Sequence, residues 1–383
     1  MKRRFRSVGL DLAVQKIAYC EVEGGEVVQR RTVSRLTALE DLLGPDSPPA
    51  RVAIEACREA WHVHDRLSER GHDVLVVDTT RVRQLGIGQH KRKNDRIDAE
   101  ALARAVERGQ IPLAHVLSPQ RRQMRHELSI RRALVETRAQ YVTTIRGVLR
   151  AQGIRLPKCQ VEQFPDKLAD AKLDESQREL VAPLARLLEG LNVEIAHADR
   201  RLDELCSGEP VIERLCTAPG IGAIVAASFV AVIDEANRFH RAHQVESYLG
   251  LVPSESTSVK RRLGAITKQG NAYARAMLVQ ASWQIFRLRS DDPLKTWAQA
   301  VAKRRGKRIA VVALARRLAG VLWAMWRDGT VYDAALVGEM SARGLKRQAQ
   351  DTQVVADALK RAAKKRQSHL RTANKILNQE ATN

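Results

Sequence analysis

The sequence has few long apolar stretches. Its longest uncharged apolar run is AIVAASFVAVI, residues 223–233, well short of the roughly 20 residues that a bilayer-spanning helix needs. That argues against a membrane span. The five cysteines, Cys20, Cys57, Cys159, Cys206 and Cys216, include no C-x-x-C pair, so neither a zinc ribbon nor a disulfide framework is indicated. The histidine pairs His62/His64 and His240/His243 have no nearby Cys or Glu at metal-site spacing. No zinc finger, obvious helix-turn-helix or internal repeat is evident, so no familiar device for reading DNA sequence is present. The start, MKRRFRSVGLDLAVQ, imitates a secretory n-region, but Asp11 interrupts its apolar run and no small-residue cleavage site follows. It is expected to be a strand, and the protein cytoplasmic.

Positive charge, by contrast, is abundant. Among 383 residues, 65 Lys and Arg face 44 Asp and Glu, a net charge of +21. Such an excess favours a polyanionic partner, nucleic acid or an acidic membrane. With 44% hydrophobic residues the chain can still build a core and two or three domains.

Residues 5–12, 16–23 and 26–33 are rich in strand formers, and Gly24-Gly25 supplies a turn, which predicts a three-strand meander. RVAIEAC (51–57), AWHVHDRLSERG and DVLVVD (73–78) then predict strand, helix and strand, hence a mixed α/β sheet. From about 118 to 206 long helices are expected. Leu180, Leu184, Leu187, Leu191, Ile195, Ala198, Leu202 and Leu205 form one apolar seam, matched more loosely by Met124, Leu128, Val135, Val142, Ile145 and Leu149. A helical hairpin or coiled coil follows, intramolecular or dimerising. Residues 207–330 read as a mostly helical unit and 331–383 as a basic tail.

Carboxylates appear where they are costly. Asp11 lies among Val8, Leu10 and Leu12, and Glu55 lies in VAIEAC; an acid in such a strand must be paired or bound to a cation. In KRKNDRIDAEALARA (91–105), Asp95 and Asp98 share one helix face while Ala99, Leu102, Ala103 and Val106 form the packing stripe. Helix capping accounts for that pair alone, but not for acids in mid-strand. Four carboxylates converging at one sheet edge suit Mg²⁺ or Mn²⁺ and phosphodiester displacement. Lys91, Arg92, Lys93 and Arg96 would then hold a nucleic-acid backbone.

In the second half, APGIGAIVAASFVAVI (218–233) contains a P-G-I-G turn, either a plain connection or a helix-hairpin-helix whose Gly220 and Gly222 let backbone N–H groups approach phosphate. In YLGLVPSESTSVKRRLGAITKQGNAYARAMLVQASW (248–283), Ser254, Ser256, Thr257 and Ser258 precede Lys260, Arg261, Arg262, Lys268, Asn271 and Arg275. That is either a solvated serine-rich loop or a serine nucleophile with cations to stabilise phosphodiester charge.

GLDLAVQKIAYCEVEGG, AIEAC and KRKNDRIDAEALA resemble the RuvC-like DEDD domain of the one-ten family of insertion-sequence transposases. GLVPSESTSVKRRLGAITKQGN resembles that family's C-terminal domain, where G-L-x-P-S leads to a Ser-Gly and then R-x-G-x-I-T-K-x-G-N. The resemblance implies an RNase H-like (RuvC-like) α/β domain at 1–115 and a serine transposase domain at 207–330; with the seam, the expected architecture adds a central helical coiled-coil hairpin for oligomerisation at 116–206 and makes the C-terminal domain mainly α with a helix-hairpin-helix. It also implies Asp11, Glu55, Asp95 and Asp98 as metal ligands and Ser258 as nucleophile. Val259 replaces the family's usual Gly, which keeps Ser256 open as the alternative.

The same resemblance implies donor and target DNA, a structured noncoding guide RNA, a homo-oligomer (a dimer, or a tetramer when DNA ends are paired) and a bacterial, nucleoid-associated location. Three other readings are a RuvC-type metal-dependent junction nuclease, a sugar-kinase-like ATPase and a noncatalytic RNA-binding protein. The nuclease leaves 212–330 without a role. The ATPase lacks the later Gly-rich loops, and metal-independent binding without strand breakage would mark the third.

Overall fold

The computed structural model describes residues 5–78, 81, 95–257 and 261–339, apart from the side chains of 256–257 and 261–263. The chain divides between Leu117 and Ser118 into two compact units.

In the first unit, β1 (Arg6–Leu12), β2 (Ile17–Glu23) and β3 (Glu26–Val33) form the expected antiparallel meander. Gly24 and Gly25 both have positive φ, 62° and 85°, the conformation a tight hairpin turn requires. After the short α1 (Glu40–Leu43), β4 (Ala50–Glu55), α2 (Ala60–Glu69) and β5 (Asp73–Val77) complete a five-stranded sheet of order β3-β2-β1-β4-β5, in which β1, β4 and β5 run parallel. The sheet is mixed because a hairpin reverses the chain on one side and a helical crossover restores its direction on the other.

Strand alternation sends side chains to two faces. Val8, Leu10, Val52, Ile54, Val74 and Val76 pack with Leu39, Leu43, Val63 and Leu67 on one face. On the other, Ala53 and Val77 meet Leu102 and Val106 of α3 (Asp95–Arg108), and Ala18, Cys20 and Val22 meet Ala99 and Ala103.

The second unit begins with a hairpin of two long helices, α4 (Pro119–Ala151) and α6 (Glu175–Cys206), linked through the short α5 (Phe164–Ala169). Arg201 bonds Glu127 at 3.0 Å, Arg131 pairs with Asp199, and Arg138 bonds Asn192 at 2.9 Å. Rising numbers on one helix against falling numbers on the other make the pair antiparallel. Asp174 and Gln177 form a reciprocal capping box that fixes the start of α6.

The seam differs from the expected one in its first half. Ile195, Ala198 and Leu202 are buried as predicted, but Val181 and Leu188 occupy the inner positions, while Leu180 and Leu187 are 54% and 53% exposed. Counting back in sevens from Leu202 gives 195, 188 and 181. The expected row of leucines lies one residue, or about 100°, around the helix.

Far from the termini of the hairpin, Val142, Ile145 and Leu149 pack with Phe164, Leu168, Val181 and Leu188. At its base, Met124, Leu128, Leu202 and Cys206 join the core of the C-terminal elements. These are α7 (Pro210–Leu215), α8 (Ala223–Ile233), α9 (Ala242–Tyr248), the hairpin β6 (Pro253–Thr257) and β7 (Arg261–Ile266), α10 (Ala272–Arg287), α11 (Pro293–Arg305) and α12 (Lys307–Asp328).

The apolar run 223–233 is α8, buried at every position from Ala226 to Ile233. Among the described residues α12 alone is long and apolar enough to cross a membrane, and half of its 18-residue apolar window is buried in this core. Arg316 and Arg317 break that stretch in the sequence, which hides its apolar content from a search for uninterrupted runs.

Candidate active site

Asp11 and Glu55 stand one position beyond the paired residues Leu10 and Ile54, at the C-terminal ends of adjacent parallel strands. Here the sheet changes direction: the chain leaves β1 toward β2 and β3 and later adds β4 and β5 on the other side. The carboxyl ends of strands at such a switch point are where open α/β sheets bind ligands. By alternation Asp11 shares the face of Gly9, and Glu55 that of Ala53, the face covered by α3.

Helix α3 runs so that its acidic first turn comes to the same end. Its last turn is fixed near the opposite end, where Glu107 accepts from the backbone N–H of Gly25 at 3.1 Å and Arg104 donates to the Gly25 carbonyl. Its first turn carries Asp95, half-buried, and Asp98, buried. The four expected carboxylates therefore share one face and one end of the sheet. Among the described residues no three His, Cys, Asp or Glu side chains cluster tightly enough to hold a metal ion. What these residues offer a divalent ion is hard oxygen donors at one end of the sheet.

Sequence reasoning missed Gly9. A Cβ there would sit 2.1 Å from the Ala99 carbonyl oxygen and 2.6 Å from the Ala103 nitrogen. Only a glycine lets α3 lie directly on β1, which brings the first turn of the helix to the level of Asp11. The available signal was a glycine between two buried β-branched or aliphatic residues, a mark of close backbone approach. A second tie is the Arg30–Glu100–Arg104 cluster, in which Arg104 Nε donates to Glu100 at 2.9 Å and Arg30 pairs with the same carboxylate. Burial raises the pKa of Glu100, but hydrogen bonds from Arg104 and Arg30 outweigh it and hold the carboxyl below its ordinary value.

Lys91, Arg92 and Lys93 lie outside the described residues; Arg96 is exposed on the first turn of α3.

In the second unit, β6 and β7 pair Thr257 with Arg261 and Ser256 with Arg262. The three residues that join them, Ser258, Val259 and Lys260, lie outside the described residues. Below the strands two glycines interlock. A Cβ on Gly250 (φ 67°) would meet the Gln269 carbonyl at 2.1 Å, and one on Gly270 (φ 74°) would meet the Tyr248 carbonyl at 2.1 Å. Lys268, exposed, has a left-handed φ of 58° between them and donates its N–H to the Gly250 carbonyl at 3.1 Å.

Arg275 donates to the carbonyls of Leu249 and Gln269, both at 2.9 Å, and burial lowers its pKa. Asn271 caps α10 by accepting from the Ala274 N–H at 2.9 Å. Both side chains thus hold the base of the hairpin in place. Helices α7 and α8 are joined by a turn in which Gly220 has φ 72° and presses on the Ala281 carbonyl, 2.8 Å from a Cβ. Gly222 is the N-cap of α8, with open space around it.

Two family models match this chain. A model for the DEDD-type domain of IS110 transposases, described as a transposase, matches residues 8–153. One described as the transposase IS116/IS110/IS902 family matches residues 212–297. A "Probable family 20 transposase" of Pseudomonas aeruginosa is 31% identical, over 85% of this chain and 98% of its own length. The transposase for insertion sequence element IS1111A of Coxiella burnetii is 27% identical over 85% of this chain and 92% of its own. The transposase for insertion sequence element IS1328 of Yersinia enterocolitica is also 27% identical, over 85% and 98%.

Proposed function

Because the chain belongs to the IS116/IS110/IS902 family and is a DNA transposase, we propose that it moves an insertion sequence by cutting and rejoining DNA with two sets of groups, four carboxylates and one serine. Asp11, Glu55, Asp95 and Asp98 would hold the divalent metal on which DEDD-type domains depend, Mg²⁺ or Mn²⁺. A bound ion supplies Lewis-acid stabilisation of the charge that builds on the phosphodiester oxygens.

Ser258 Oγ attacks phosphorus. A serine O–P bond forms, the P–O bond to the leaving deoxyribose oxygen breaks, and the hydroxyl proton passes to that oxygen. Attack by the hydroxyl of a different strand then releases the serine. The phosphoserine keeps the energy of the broken bond, so exchange needs no external energy source. Lys260, Arg261, Arg262 and Lys268 would supply cations to the phosphate, with Asn271 and Arg275 holding the base of the strand pair, and Lys91, Arg92, Lys93, Gly220 and Gly222 would contact the DNA backbone.

The protein acts in the bacterial cytoplasm as a homo-oligomer on donor and target DNA. A structured noncoding RNA chooses both by base pairing, which accounts for a sequence without a DNA-reading motif.

The observation that carries this reading is the position of Asp11 and Glu55 on neighbouring parallel strand ends, facing a helix that starts with Asp95 and Asp98. The test incubates the full chain with Mg²⁺ and a nicked duplex bearing the element end, followed by denaturing electrophoresis. A protein–DNA adduct is expected for the parent and for Ser256→Ala, and none for Ser258→Ala or Asp11→Ala. An adduct with Ser258→Ala refutes the serine assignment. Cleavage without any adduct favours a RuvC-type junction nuclease.

A further inference from the structure

The turn between α11 and α12 reads KRRGKR, residues 303–308, and places Lys303, Arg304, Arg305, Lys307 and Arg308 on the surface within six positions. Among the described residues Lys303, Arg305, Lys307 and Arg308 have no ion-pair partner. Lys307 and Arg308 also occupy the first turn of a 22-residue helix that has no acid there and no side-chain cap. The dipole of α12 disfavours cations at that end. The first turn of α12 thus bears a stability cost that, among the described residues, no acidic partner offsets.

Lys307 is held in place, however. Its Nζ lies 5.4 Å from the centre of the Trp283 ring and 5.7 Å from that of Phe286, so two part-buried aromatic faces of α10 aim the ammonium outward. Arg287 and Arg289 continue the positive surface from the end of α10, both exposed. None of residues 303–308 lies in a segment matched by either family model.

We propose that this turn is a separate contact for the phosphate backbone of duplex DNA, outside the carboxylate and serine groups. Cations close together in the sequence and without ion-pair partners suit the dense charge of a DNA backbone, and such contacts give register without reading sequence. DNA is the polyanion that a transposase must hold in any case, so the inference rests on the family membership and not on the proposed chemistry. It requires neither a metal nor a serine.

The test compares three full-length proteins: the parent, a patch variant (Lys303→Gln, Arg305→Gln, Lys307→Gln, Arg308→Gln), and an equally charged control with Lys158→Gln, Lys172→Gln, Arg186→Gln and Arg200→Gln, all exposed on or near the long hairpin. Affinity for a generic 30-base-pair duplex is measured by fluorescence anisotropy across a salt series. Each lost phosphate contact lowers the slope of log K against log salt by about 0.9. The patch variant is expected to lose about 3 to 4 from the slope and at least about tenfold in affinity, and the control less than 1.

Equal slopes for patch variant and parent overturn the proposal, as does an equal loss in the control, which reports net charge alone. A loss confined to single-stranded or hairpin RNA overturns the assignment to DNA. Thermal melting separates binding from folding: the patch variant removes unfavourable cations from the start of α12 but also favourable ones from the last turn of α11 and the Lys307 ring contacts, so it should melt within a few degrees of the parent, and a binding loss in a protein that melts so is not a folding loss. Neither Asp11 nor Ser258 supplies a cation, so failure of the carboxylate and serine chemistry leaves this measurement unchanged.

Discussion

The two candidate catalytic regions are built on different principles. In the first unit the carboxylates sit on strand ends and a helix turn, on backbone fixed by two parallel pairings and by a helix pressed on the central strand. In the second, the expected serine lies outside the described residues, and the base of the strand pair that flanks it is locked by Gly250, Gly270, Asn271 and Arg275. Groups on regular elements are positioned to within fractions of an ångström, whereas groups on connections take their place from a supporting layer. In the first region a substitution at a functional residue should act on chemistry alone. In the second, changes at the base should act on geometry without touching any reacting atom.

The largest effect expected is on chemistry. Ser258→Ala should reduce recombination by about 10⁴-fold or more, the scale seen when a nucleophile is removed. Asp11→Ala should approach the same loss. Both should leave the melting temperature within about 2 °C of the parent, measured by calorimetry alongside a recombination assay. Equal destabilisation by both would erase the distinction between the regions.

Gly9→Ala is the sharper probe of the first region. The added methyl overlaps backbone atoms of α3 and should cost about 1–3 kcal/mol by overpacking. It also shifts the acidic turn, so activity should fall by about 10²-fold, as for an ångström-scale misplacement. In the second region, Gly270→Ala, strained in φ and space, should lower stability comparably and adduct yield with it. If adduct yield stays at the parent's level, the interlocked base does not position the serine connection.

Leu149→Ala, in the buried cluster at the far part of the long hairpin, should cost about 2–5 kcal/mol while sparing cleavage of a nicked duplex at low temperature. Asn271→Ala removes the cap of α10 and should cost about 1 kcal/mol.

The smallest effect is with pH. Burial lowers the pKa of His72 below its ordinary 6.5, and its Nδ1 accepts from the Ala50 N–H at 3.1 Å. The folded state prefers the neutral ring, so this contribution is complete above pH 6.5 and is lost as pH falls through the folded-state value. His72→Gln should flatten the acidic side of a melting-temperature profile.

Much of the first unit could be read in the sequence because its signals are local. Strand alternation, the Gly-Gly turn and acids inside apolar runs all depend on near neighbours, and they located the three-strand meander, β4, β5 and the carboxylates. What escaped was long-range. Gly9 matters because of Ala99 and Ala103, some 90 positions away, and Gly250 because of Gln269. Glycine leaves no periodic trace of what approaches it. The seam of α6 was displaced by one residue because two apolar rows run side by side at its start, and only the partner helix decides which is inward. Arg275 and Asn271 look like phosphate ligands in a list of polar residues. Their carbonyl and N–H partners appear only when the chain folds back on itself.

The long hairpin leaves the C-terminal core at Met124 and Leu128 and returns to it at Leu202 and Cys206, so both of its ends are anchored in one place. At 1.5 Å per residue, the 33 residues of α4 reach about 50 Å. The two matched segments, 8–153 and 212–297, contain all of the outgoing helix and leave all of the returning helix between them. A hairpin anchored in this way is an adjustable strut. Removing matched heptads from its outgoing and returning helices would shorten its reach by about 10 Å at a time while the body that carries it keeps its closure. A change of length at the tip therefore needs no accommodation at the root.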